Sequence, residues 1–139
     1  MTMKPETPRY DEEESLRIRY ENYEKTQRWN QFQDAMMTYA AENRIPYKGT
    51  FELTPRCSLQ CKMCYMRLDA CQMAPQGKEL TTKEWIRMGE MALEAGTVDL
   101  LLTGGEPMLR PDFVEIYTAL SEMGFILRVF TNATLVTPE

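Results

Sequence analysis

Val98-Asp-Leu-Leu-Leu102-Thr103-Gly-Gly-Glu-Pro107 reads as a short, nearly all-apolar strand that runs straight into a glycine-rich turn. A strand with so few polar positions has to be buried on both faces, as in a parallel sheet covered by helices. Its flanks fit that arrangement. Upstream, Thr81-Thr-Lys-Glu84 has the capping-box pattern, which predicts a helix through Trp85, Ile86, Gly89 and Leu93 that stops at Gly96. Downstream, Pro111 suits the first position of a second helix, with Phe113, Val114, Ile116, Tyr117, Leu120 and Met123 on its apolar side and Gly124 as its stop. Phe125–Phe130 is then a further strand, followed by Thr131-Asn-Ala-Thr134. Before all of these, Tyr47–Thr54 has strand character, with Phe51 and Leu53 on one face. Strand, helix, strand, helix, strand with short joints means βαβ units, an α/β class and a parallel sheet.

The chain ahead of the first strand is different. Residues 1–10 are polar and proline-rich, a loose lead-in. From Asp11 to about Asn43 there is neither Pro nor Gly, and apolar or aromatic residues recur at Leu16, Tyr20 and Tyr23, then at Trp29, Phe32, Met36 and Tyr39. The spacing is helical, but its phase slips between Tyr23 and Trp29, so two helices or one bent helix are expected, with the stripe packing on the next domain. The organisation predicted is a helical segment over 1–45 and an α/β region over 46–139. Thr137-Pro138-Glu139 has the residues of a further helix start, and three strands with two crossovers leave open sheet edges. Residues 46–139 are therefore expected to be part of a larger barrel.

Composition narrows the chemistry. Of 139 residues, 16 are Lys or Arg and 21 Asp or Glu, a net charge of −5, so there is no basic surplus with which to hold nucleic acid by its phosphates. No apolar run approaches a membrane span, and the first ten residues hold no secretory stretch, which makes the cytoplasm the expected compartment. There is no histidine, which removes Cys/His zinc fingers, imidazole acid–base catalysis and every Ser/His or Cys/His nucleophile pair.

Three of the four cysteines stand together in Cys57-Ser-Leu-Gln-Cys61-Lys-Met-Cys64, a C-x3-C-x2-C spacing on a loop just after a strand. In a reducing compartment such clustering reads as a metal site. Three thiolates can bind three corners of a cubane cluster and leave the fourth iron open. Arg56, Lys62 and Arg67 add positive charge that favours thiolate, with no acid from Leu53 through Leu68. Cys71 reads as a free thiol. Two other readings use it as a fourth ligand, in a zinc-binding interaction module or in an iron–sulfur electron carrier.

The cysteine spacing, with Gly104-Gly105-Glu106-Pro107 about one βα unit later, resembles the radical S-adenosylmethionine (SAM) superfamily. Met63 stands where that family usually has an aromatic residue, and Tyr65 follows the last cysteine. The resemblance runs from about residue 47 to 139 and implies the first half of a partial (β/α)6, TIM-like barrel. It implies that Cys57, Cys61 and Cys64 hold a 4Fe-4S cluster, and that SAM chelates the open iron. One electron from an external reductant would then release a 5′-deoxyadenosyl radical. It further implies that Gly104, Gly105, Glu106 and Pro107 bind the cofactor, Glu106 accepting from the SAM ammonium. Thr131-Asn132-Ala133 resembles a Thr-Asn-Gly-type segment of the branch that modifies peptides and proteins, which adds Asn132 to the cofactor-binding residues and implies a peptide or protein substrate. Half a barrel by itself is not expected to be a competent enzyme.

Overall fold

The buried strand forms where its pattern requires it. The structure is a computed structural model that describes residues 11–65 and 77–137, leaving aside the side chains of Glu12, Ser15 and Leu16. Strand β2 covers Asp99–Thr103, and Leu100 and Leu102 are fully buried. Strands β1 (Lys48–Glu52) and β3 (Ile126–Val129) flank it, both parallel to it, in the order β1-β2-β3. Among the described residues this is one three-stranded α/β sheet, as the start of a partial barrel requires. Lys48 pairs with Asp99 and Asp99 with Ile126, so all three strands end at the same edge.

Two helices cover the sheet. Helix α2 (Thr82–Glu94) opens on the predicted capping box: the Thr81 N–H donates to Glu84 Oε2 at 2.7 Å, and the Glu84 N–H to Thr81 Oγ1 at 3.3 Å. Reciprocal bonds of this kind satisfy donors that a helix start otherwise leaves unpaired. Helix α3 (Phe113–Glu122) follows β2. The two helices meet closely at Gly89, where a Cβ would run into the Leu120 side chain. Phe51, Leu53, Trp85, Leu100, Leu102, Phe113, Ile116, Leu120 and Phe125 form one core, with the Phe51 and Trp85 rings 5.1 Å apart. At the other edge of the sheet the buried Asp99 is paired with Arg128, Nε to Oδ1 at 2.9 Å.

The second helix departs from expectation in two ways. Pro111 is not its first residue: Asp112 is the N-cap, and a short 3-10 helix, η1 (Pro107–Leu109), takes up the chain after the glycine turn. Pro107, whose missing N–H costs nothing at a helix start, opens η1 instead. Val114 is exposed because the face that meets the core is set by Phe113, Ile116 and Leu120.

The chain divides into two compact units, Met1–Tyr39 and Ala40–Glu139. Most of the first is α1 (Glu12–Asn43), one helix rather than two. Asp11 Oδ1 accepts from the Glu14 N–H at 2.7 Å and so caps its start. Tyr20, Tyr23, Trp29, Phe32 and Tyr39 are exposed along it. No helix among the described residues is long and apolar enough to cross a membrane. Cys71, Arg67 and the helix start read at Pro138-Glu139 lie outside the described residues.

Candidate functional site at the carboxyl edge of the sheet

Because the strands are parallel and in register, the segments that follow β1, β2 and β3 all leave from one edge, which is where α/β folds gather their ligand sites. The sheet hydrogen bonding does not stop at the strand ends. Leu53 N–H donates to Thr103 O at 2.8 Å, Gly105 N–H to Thr54 O at 2.7 Å, and Glu106 N–H to Arg56 O at 2.8 Å. The glycine turn therefore runs along the root of the cysteine loop. Gly104, at φ +142°, lies against the Thr54 backbone, and Gly105 against the backbone of Pro55 and Arg56; a Cβ at either would strike a carbonyl oxygen. The pair is glycine so that two backbones can touch.

Glu106 is fully buried, which rules out a solvated surface acid. Its Oε1 accepts from the Met108 N–H at 3.0 Å and the Thr131 hydroxyl at 2.8 Å; Oε2 accepts from the Asn132 N–H at 2.8 Å. The carboxylate thus ties the turn after β2 to the segment after β3. The Thr131 hydroxyl also lies 3.0 Å from Oε2, so both oxygens are engaged. Pro107, also buried, holds the chain beneath it in η1.

The cysteines are arranged differently. Cys57, Cys61 and Cys64 are free thiols and all exposed, on a loop with a turn in which the Cys64 N–H donates to Cys61 O at 3.2 Å. Among the described residues no three Cys, Asp or Glu side chains are drawn together tightly enough to hold a single metal ion. Asn132 reaches this loop: its Nδ2 lies 3.3 Å from Ser58 Oγ and 3.8 Å from Cys57 Sγ. Ser58 Oγ is also 3.3 Å from Thr134 Oγ1. The structure therefore brings Cys57, Glu106 and Asn132 into one connected network.

A second network lies beneath the loop, and the sequence gives no local sign of it. Glu79, at the far end of the segment that begins with the cysteines, accepts from Thr54 Oγ1 at 2.6 Å and from Arg56 through Nε at 2.9 Å and Nη2 at 3.0 Å. Arg110, almost wholly buried, donates to Glu79, to the carbonyls of Leu53 and Leu80, and to both oxygens of Asp112. Arg56 is thereby paired with Glu79, which Arg110 shares. Partial burial pushes the Glu79 carboxyl up, but hydrogen bonds from Arg56 and Thr54 and the charges of Arg56 and Arg110 outweigh it, and the net direction is down. The Arg110 hydrogen bond brings Asp112 down as well. Thr54, Glu79, Arg110 and Asp112 are the residues that sequence reasoning missed.

A family model described as the Radical SAM superfamily matches residues 51–139. A PqqA peptide cyclase of Bradyrhizobium diazoefficiens is 37% identical to this chain over 95 residues, which is 68% of the chain and 24% of that relative. The chain thus spans about a quarter of the length of that curated relative.

Proposed function

This chain belongs to the radical SAM superfamily, and on that premise we propose that Cys57, Cys61 and Cys64 hold a 4Fe-4S cluster with one iron left for SAM. The donor set fits the group: three exposed thiols on a single loop, none in a disulfide. When bound, cluster and SAM supply a one-electron reductive cleavage that yields a 5′-deoxyadenosyl radical for hydrogen-atom abstraction. The electron comes from an external reductant. The cytoplasm, where thiols stay reduced, is the compartment that suits such a site.

The chain's own residues bind and orient. The observation that carries the reading is the contact between the Gly-Gly-Glu-Pro turn and the root of the cysteine loop, two backbone bonds of 2.7 and 2.8 Å. A cofactor held by residues of both segments would need them at a fixed separation, since misplacement by about 1 Å can cost on the order of 100-fold in rate. Gly104, Gly105 and Pro107 keep that separation, and Glu106 is the acceptor assigned to the SAM ammonium. Asn132 completes the set from the third strand. Residues 46–139 are the first half of the core in this reading, and residues 1–45 a helical segment ahead of it.

The substrate is a peptide or protein. Support comes from the relative whose name is that of a peptide cyclase and from the likeness of Thr131-Asn132-Ala133 to a segment of the peptide-modifying branch.

The test is anaerobic reconstitution of the protein and of four single variants, with iron and sulfide analysis. Cys57→Ala, Cys61→Ala and Cys64→Ala should each lose the four-iron cluster, and Cys71→Ala should keep it. SAM added to the reduced cluster should change its EPR signal. Loss of metal from Cys71→Ala as complete as from the others would make all four cysteines ligands and overturn the open-iron reading.

A further inference from the structure

Asn132 is fixed from two sides. Its Oδ1 accepts from the Thr134 backbone N–H at 3.0 Å and from the Thr134 hydroxyl at 2.7 Å. A backbone N–H can only donate, so the amide oxygen has to face Thr134 and the amide nitrogen has to face away from it. Its own backbone N–H is held by the buried Glu106 carboxylate at 2.8 Å. What the nitrogen then faces is the cysteine loop, with Cys57 Sγ at 3.8 Å and Ser58 Oγ at 3.3 Å. The same sulfur accepts from the Leu59 N–H at 3.4 Å. Two N–H groups, one from its own loop and one from the third strand's, therefore point at a single thiol.

We infer that Asn132 is a positioning residue for Cys57, donating an N–H···S hydrogen bond that makes the bound cluster easier to reduce. The inference rests on the reading of Cys57 as a cluster ligand. Hydrogen bonds to ligand sulfur stabilise the form of a cluster that carries the extra electron, and they are among the factors that set its potential. A bound cluster would have to take up one electron, and a donor at this sulfur would favour that uptake. Glu106 enters the same chain of contacts. By seating the Asn132 backbone it aims the amide, and the acid of the Gly-Gly-Glu-Pro turn reaches a ligand of the first strand through a residue of the third.

The experiment is a dye-mediated dithionite titration of the anaerobically reconstituted full chain, followed by EPR. Asn132→Ala should make the cluster harder to reduce. At a fixed ambient potential the ratio of reduced to oxidised cluster should fall by about three- to tenfold, tenfold being about 59 mV for a one-electron couple. Asn132→Asp keeps an oxygen for Thr134, lacks the N–H and adds a negative charge, so it should shift the same way and further. It also decides the matter if the alanine variant fails to fold. An Asn132→Ala or Asn132→Asp protein with full iron and sulfide and the wild-type potential would overturn this inference and leave the cluster reading standing. A wild-type chain that takes up no iron and sulfide would overturn the reading beneath it, and the inference with it.

Discussion

The loops after β1 and β2 leave the same edge of the same sheet and are built in opposite ways. The three cysteines of the first are exposed, while the second holds Glu106 and Arg110 buried and bonded on every side. The difference separates two tasks. Thiols that receive an incoming inorganic group must stay accessible to it, whereas the platform that fixes distances has to be complete beforehand, because a half-satisfied buried polar network is costly. Substitutions in the platform should therefore show first as lost fold, and substitutions in the cysteine loop as lost metal with the fold kept.

The largest effect is expected at Gly105. Gly105→Ala drives a methyl group into the backbone of Pro55 and Arg56, neither of which can swing aside as a side chain would. Overpacking of this kind costs about 3 kcal/mol, to be read by urea denaturation of the metal-free chain. A stability within experimental error of wild type would mean that the two loops are not in contact. Next comes Glu106→Ala, which leaves the Met108 N–H, the Thr131 hydroxyl and the Asn132 N–H without their acceptor. A loss of roughly 2–3 kcal/mol is expected. In folded protein, cluster content should persist while SAM affinity falls.

A smaller and pH-dependent effect is expected at Glu79. Its carboxyl and that of Asp112 are both held below the ordinary range, so their stabilisation is fully present above the unfolded-state value. It is lost as pH falls through the lower, folded-state values. Glu79→Gln should cost on the order of 1–2 kcal/mol at neutral pH and flatten the acid limb of a stability–pH curve. An acid limb as steep as wild type would remove Glu79 from that network. The smallest effect on stability is expected at Cys61. Cys61→Ala should change the metal-free chain by less than about 0.5 kcal/mol, as exposed positions do, while abolishing cluster uptake. Unfolding of that variant without metal would break the contrast between the two loops.

The contrast also marks what could be read from sequence. The strand 99–103 and the cap at Thr81 were legible because burial on two faces and a capping box are local patterns. The cysteine spacing and the glycine turn were legible for the same reason. Arg110 was not: its partners lie up to 57 positions away, and nothing near it says that a lone arginine is buried. Pro111 misled because two prolines lie four positions apart and the 3-10 helix between them shifts the helix start. Glu106 was read as a ligand group, and its neighbours after β3 were invisible until parallel pairing brought them alongside.

The register also bears on the order in which the chain folds. Lys48 and Asp99 are 51 positions apart, Asp99 and Ile126 only 27, so joining β1 to β2 closes nearly twice the loop that joining β2 to β3 does. Each doubling of loop length costs about 0.6 kcal/mol in closure entropy, and the longer closure is the slower one. The hairpin-free unit β2-α3-β3 should form ahead of β1, which arrives last with the cysteine segment attached.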